Sequence, residues 1–417
     1  QTVTFANTYG GTDVGNYTFT GSPTTTTAKI TPKSLTLGSV AANDKTYDGG
    51  VVATIANFGT LTGVLAGDTA NVSLVTSSAT ATFADKNVAY SGSTVIAKTV
   101  TLTASSLGLS GTKAGNYAIV GNLTANAKIN PLSVTVSGIA ANDKVYDATT
   151  AATVSTTNAV FNGMVTGDDL HVSAAGVFAA KTAGLARTVN LTSSYNGTDL
   201  ANYTITGQAT TTANIAQKAL TVSGFVANNR VYDGGVVATV DATNVYLAGL
   251  ISGDVVTATA TGTFANKNVG TGKTVTLTSS YAGADKDNYA ITSQATSTAN
   301  ITPKALTISG ITAADKTYDN TTAATVSVSG VVKTGLVLND VLNVAATGVF
   351  SDENAASGKT VTLTSTYTGA DVGNYTITGQ GTTTARISPL DVELPATASL
   401  TKVYDATTLV APALTGN

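Results

Sequence analysis

One feature constrains this chain more than any other: it repeats. The pair Tyr-Asp, with a basic residue two positions before the Tyr, occurs at Tyr47-Asp48, Tyr146-Asp147, Tyr232-Asp233, Tyr318-Asp319 and Tyr404-Asp405. A second marker, Asn-Tyr, occurs at Asn16-Tyr17, Asn116-Tyr117, Asn202-Tyr203, Asn288-Tyr289 and Asn374-Tyr375. After first intervals of 99 and 100 residues, both markers return every 86. Two independent markers on one period define a tandem array.

The spacing also locates the variable part. From Asn-Tyr to the next Tyr-Asp the distance is 31 residues once and 30 thereafter, whereas from Tyr-Asp to Asn-Tyr it is 69 in the first unit and 56 in the others. The 13 extra residues of the long unit therefore lie in the second span, as lengthened hairpins and loops around Phe83 and before Asn116. The constant span alternates apolar and Thr/Ser residues, as in Lys218-Ala-Leu-Thr-Val-Ser, and has no Gly/Ser-rich linker. We read it as the junction, where a closing strand passes through a short turn into the next unit. A junction of fixed length implies a fixed angle and a semi-rigid array.

This divides the chain into a partial repeat 1–29, a long repeat 30–129, repeats 130–215, 216–301 and 302–387, and a partial repeat 388–417. The two partial ends are too short to complete one unit between them, so a fragment of a longer array is expected. Each repeat shows turn signals such as Ser252-Gly-Asp and Gly283-Ala-Asp between some six to eight short strands, with no capped helical period. The expected fold is all-β, a tandem array of immunoglobulin-like β-sandwich repeats of about 86 residues. A parallel β-helix would need a coil-length period near twenty residues, and each marker appears once per 86.

Composition narrows the function. Of 417 residues, 11% are charged, the net charge is −3, and there is one His and no Cys. Nucleic-acid binding lacks its basic excess, and disulfides, thiolate metal sites and cysteine nucleophiles are absent. No apolar run reaches the eighteen or so residues of a membrane helix. His171 stands in one repeat only, and Asp168-Asp169 read as a turn, so no catalytic set and no cofactor site is expected.

Fourteen of the 16 Tyr fall in three repeat columns: those of Tyr-Asp, those of Asn-Tyr, and Tyr9, Tyr195, Tyr281 and Tyr367, with Leu109 in the long repeat. Phe83, Phe178, Phe264 and Phe350 form a fourth column. Rings at fixed strand positions read as packing, with a sugar-stacking platform as the alternative. The Asp of Tyr-Asp reads as a turn carboxylate that accepts backbone N–H bonds. Asp13, Asp199, Asp285 and Asp371 raise the idea of calcium between repeats, but Lys113 takes this position in the long repeat and no acidic run supplies the remaining ligands. No metal site is expected. The basic columns Lys45, Lys144, Arg230, Lys316, Lys402 and Lys98, Arg187, Lys273, Lys359 each contain one Arg. That fits charge pairing or a stem lying over the sheet better than a Lys–Asn isopeptide bond.

The repeated Lys/Arg-x-Tyr-Asp, the downstream Gly-Asn-Tyr-x-Ile-x-Gly and the Thr-Pro-Lys-x-Leu-Thr junction resemble the YDG-type repeats of filamentous-haemagglutinin-like bacterial exoproteins, often exported by two-partner secretion. The resemblance covers essentially the whole chain. It implies a secreted or surface-exposed adhesin stalk or fibre whose partners are the neighbouring repeats. Self-association into a filament, or a glycan held near the non-column Tyr90 and Tyr246, is the alternative.

Overall fold

The computed structural model describes residues 1–20, 25–121, 123–393 and 404. Its regular structure is strand, with short 3-10 turns; among the described residues no helix is long and apolar enough to cross a membrane. The chain divides into two compact units, 1–217 and 218–417.

In the first unit, residues 130–216 show the pattern in full. Strand Leu132–Ser137 is the centre of a three-stranded sheet, antiparallel to Val160–Asn162 and parallel to Tyr203–Thr206. A five-stranded sheet runs Lys144–Val145, Thr210–Ala216, Gly184–Asn196, His171–Phe178, Ala151–Ala152. Alternation makes these strands two-faced: in Leu132–Ser137 the buried side chains are Val134 and Val136. The long repeat builds the same layers from shorter pieces. Its extra residues supply a 3-10 turn, Ala104–Ser106, that splits one long strand, and a small hairpin, Tyr90–Ser91 with Thr94–Val95.

The second unit repeats the layout twice, with three-stranded sheets centred on Lys218–Ser223 and Lys304–Ser309 and five-stranded sheets centred on Gly270–Ala282 and Ala356–Thr368. Leu306 and Ile308 of one layer and Phe350, Val361 and Ile387 of the other share one buried core. Two packed β layers per repeat are compatible with an immunoglobulin-like sandwich.

Two expectations need correction. The strands are not uniformly short, because Gly184–Asn196 and its counterparts run 13 residues. There are also ten strands in residues 130–216, several of only two residues. Both differences arise at turns. A register shift between Gly184 and Arg187 lets one strand continue where glycine and asparagine look like breaks, and two-residue strands flank the Tyr-Asp turns at Tyr47, Tyr146, Tyr232 and Tyr318.

The first partial repeat carries one antiparallel pair, Thr2–Thr4 with Thr25–Thr27, and nearly all its side chains are exposed. Of the last partial repeat, Asp405 lies outside the described residues and Tyr404 is exposed.

Candidate functional site: the junction between repeats

The Tyr-Asp turn is built around its basic residue. Lys144 Nζ donates to Asp147 Oδ1 at 2.7 Å, to the Thr149 carbonyl at 2.9 Å and to that of Ala151 at 3.0 Å. The ammonium also lies 5.4 Å from the centroid of the Phe178 ring. Arg230 does the same work in the third repeat, 2.9 Å from Asp233 and 5.1 Å from the Phe264 ring. The Asp carboxylate in turn accepts the amide two residues on, as Asp147 does from Thr149 at 2.9 Å. Burial pushes the Asp147 carboxyl up, but the Lys144 and Thr149 bonds outweigh it and bring it down to about 2. This first basic column therefore serves its own turn, with the Phe column beneath it.

The turn places its Tyr at the exit of the repeat. The Tyr47 amide donates to the Asn130 carbonyl at 2.8 Å and the Tyr232 amide to that of Thr302 at 2.9 Å, at the ends of the strands leaving those repeats. A single proline, Pro131 or Pro303, separates each of these strands from the first strand of the next repeat. Tyr47 and Tyr232 are 2% and 1% exposed, and each ring meets the Asn-Tyr ring of the following repeat edge to face, with centroids 5.4 Å apart for Tyr47–Tyr203 and 5.5 Å for Tyr232–Tyr375.

A buried carboxylate of the downstream repeat joins both hydroxyls. Asp168 Oδ2 accepts from Tyr47 at 2.7 Å and from Tyr203 at 2.5 Å, while Lys86 Nζ lies 2.8 Å from Oδ1. Lys86 also reaches Asp199 at 3.2 Å. In the second unit Asp340 accepts from Tyr232 at 2.8 Å and Tyr375 at 2.6 Å; Lys267 lies 2.9 Å from Asp340 and 2.8 Å from Asp371. The Asp168 and Asp340 side chains are 3% and 2% exposed, so each is a buried charge that has found its partners.

The electrostatics follow from this geometry. Burial pushes the Asp168 and Asp340 carboxyls up, yet the lysine and two tyrosine bonds hold both below the ordinary value. Lys86 and Lys267 are shifted up by their carboxylate partners. Burial and the Asp340 bond push Tyr375 up to about 12.

The Asn of Asn-Tyr completes the contact. Asn202 Oδ1 accepts the Val88 amide at 2.9 Å, and Asn374 Oδ1 accepts the Val269 amide at 2.9 Å, each from the preceding repeat. Apolar packing surrounds the polar centre. Gly49 and Gly234, at φ +75° and +82°, leave room for Val165 and Val337, whose Cγ1 atoms would lie 2.7 Å from an added Cβ.

Models of the YDG domain match residues 31–127, 130–213, 216–298 and 302–385, most of the chain. The chain belongs to the YDG-domain family. No curated protein matches it. Among solved structures, Drosophila N-cadherin EC1-4 aligns at 9% identity over 84% of this chain and 99% of its own, with a TM-score of 0.23. Drosophila N-cadherin EC1-3 aligns at 7% over 63% and 98%, with a TM-score of 0.18. Those scores carry no argument about the YDG repeats.

Several sequence markers of the YDG repeats thus converge. The Tyr of Tyr-Asp, the Asn and Tyr of Asn-Tyr, and the acidic column of Asp199 and Asp371 meet at the junctions of repeats one with two and three with four. Tyr289 makes the equivalent intra-repeat bond to Asp254 at 2.6 Å, as Tyr117 does to Asp68 at 2.8 Å. Tyr318 instead donates to Asn320 at 3.2 Å. Tyr90, considered for a glycan, donates to the Ala201 carbonyl of the next repeat at 3.1 Å. His171 is an exposed partner of Asp169 at 2.8 Å. Among the described residues no group of three or more His, Cys, Asp or Glu is placed to hold a metal ion.

Two sets of residues escape the sequence reading as repeat columns: the hub Asp68, Asp168, Asp254, Asp340, and the lysines Lys86, Lys181 and Lys267, three residues after Phe83, Phe178 and Phe264, where the fourth repeat has Glu353 after Phe350. Their spacing was available. The Asp lies 35 residues before the Tyr of Asn-Tyr in all three short repeats, and that regularity is the signal to use.

Proposed function

We propose that this tandem array is a structural segment, a stalk or fibre of a bacterial cell-surface or secreted adhesin, and that it has no catalytic role. One observation carries the reading. The same Tyr–Asp–Lys centre forms at both described junctions, in separate units, with the same partners, so the chain's recurring chemistry is directed at holding neighbours together. Location outside the cell is part of the proposal, supported by the resemblance to bacterial exoproteins and by a fold that uses no cysteine.

Stretching the full chain in an optical trap tests this. A stalk gives no low-force extension from loose linkers and then unfolds stepwise, each 86-residue repeat releasing roughly 30 nm of chain at about 3.6 Å per residue. Extension at low force like that of a disordered tether would refute the reading. A glycan-holding role now rests on Tyr246, which is 67% exposed, and binding on a glycan array is its test.

A further inference from the structure

Asparagine followed by glycine occurs twice in the chain, at Asn162-Gly163 and Asn196-Gly197, both in the second repeat. This pair carries a built-in reaction. Glycine has no side chain to block its own amide nitrogen from turning onto the preceding carboxamide carbon, and its backbone adopts the conformations that the approach needs.

The fold treats the two pairs differently. Each asparagine ends a strand, Val160–Asn162 and Gly184–Asn196, and each glycine lies just beyond it, at φ +92° and +134°. The Asn162 carboxamide is tied down: its Nδ2 donates to Ser137 Oγ at 2.8 Å and to the Thr135 carbonyl at 3.3 Å. Asn196 is exposed, and among the described residues no such bond holds its side chain.

The residue opposite Asn196 is the chain's single histidine. His171 and Asn196 are direct partners on the last rung of the antiparallel ladder between His171–Phe178 and Gly184–Asn196. Directly opposed residues share one face of the sheet, with Cβ atoms about 4.5–5.5 Å apart. His171 Nε2 lies 2.8 Å from Asp169 Oδ1, so the ring is held at one nitrogen and keeps Nδ1 as a proton acceptor.

The same rung is Thr257 with Ala282 in the third repeat and Asn343 with Thr368 in the fourth. Neither has a histidine, and neither has an asparagine before the following glycine. The base and the reactive pair therefore occur together, once, on one rung.

We propose that Asn196-Gly197 is a self-modification site, at which His171 is the base for deamidation of Asn196. The imidazole takes the Gly197 amide proton as that nitrogen bonds to Asn196 Cγ. The Cγ–Nδ2 bond breaks, and Nδ2 leaves as ammonia with the proton returned from the imidazolium. Water then opens the cyclic imide at either carbonyl, giving aspartate or isoaspartate in place of Asn196. Nothing is oxidised or reduced. Either product adds a carboxylate at the root of the loop that carries Asp199, the residue that Lys86 reaches at 3.2 Å from the preceding repeat. The reaction needs only this hairpin of the second repeat, so it stands apart from the stalk reading.

Ageing the full chain in neutral buffer, followed by peptide mapping with mass spectrometry, tests it. Asn196 is expected to convert about tenfold faster than Asn162 or more, a smaller factor than an enclosed catalytic base gives because this ring is exposed. His171→Asn installs the residue that the fourth repeat carries on this rung, so the variant should fold. It should slow conversion of Asn196 by about tenfold and leave Asn162 as it was. No conversion at Asn196, equal rates at the two asparagines, or an Asn196 rate that His171→Asn leaves unchanged would each overturn the proposal.

Discussion

Tyr232 and Asp340 belong to different repeats, yet the tyrosine hydroxyl lies 2.8 Å from a carboxylate oxygen whose side chain is 2% exposed. A bond to a buried charge is worth more than a neutral surface one. Tyr232→Phe keeps the ring and its packing and removes only this bond, so it should lower unfolding free energy by about 1.5–3 kcal/mol. Tyr47→Phe should do the same through Asp168. Urea denaturation of the full chain measures both, and a loss no larger than that of an exposed turn hydroxyl would count against the hub.

The pH response has a definite sign. Asp168 and Asp340 sit below the ordinary carboxylate value, so their contribution is complete above the unfolded value near 3.9 and is lost as pH falls through the folded one. Tyr375 is raised to about 12, so its contribution is complete below the unfolded value near 10 and is lost between about 10 and 12. Lys267, also raised, acts in the same direction. Thermal melts should therefore be nearly flat from about pH 5 to 9 and fall on both sides.

Gly234 should not tolerate a side chain. At φ +82° an alanine costs about 1–2 kcal/mol in the left-handed region, and its Cβ would sit 2.7 Å from Val337 Cγ1. Val337→Ala in the same chain should relieve the contact and recover part of the loss, leaving the backbone share. A Gly234→Ala variant as stable as the wild type would show that the neighbour is not seated there.

Lys144 and Arg230 occupy equivalent positions with equivalent bonds, so Lys144→Arg should change stability by less than about 0.5 kcal/mol. Lys144→Met leaves Asp147 and two carbonyls without their donor and should cost about 1–3 kcal/mol. Chemical denaturation separates the two variants.

The β class is legible in the sequence because alternation is a local property: in Lys218–Ser223, Leu220 and Val222 are buried and their neighbours are not. The 13-residue strand Gly184–Asn196 is less so. Its glycine, its asparagines and Ala186 at φ +48° look like a break, although the register shift there only bends the strand. The Tyr and Asn markers point to the junction by their period alone. The hub does not, because Gly167-Asp168 has the composition of a turn, and is one, while its partner Tyr47 lies 121 residues away. Only the fold supplies that contact. Lys86 is hidden for the same reason, since Asp85-Lys86-Asn87 reads locally as a solvated loop.

The most direct test concerns one amide. The Val269 N–H donates to Asn374 Oδ1 of the next repeat at 2.9 Å, so its protection from hydrogen exchange reports the junction itself. If the Tyr–Asp–Lys centre holds adjacent repeats together, Val269 should exchange roughly a hundredfold or more slower than an open loop amide. Asp340→Ala should abolish that protection while amides in strand Gly270–Ala282 keep theirs. Exchange of Val269 at the open-loop rate in the wild-type chain would contradict the account.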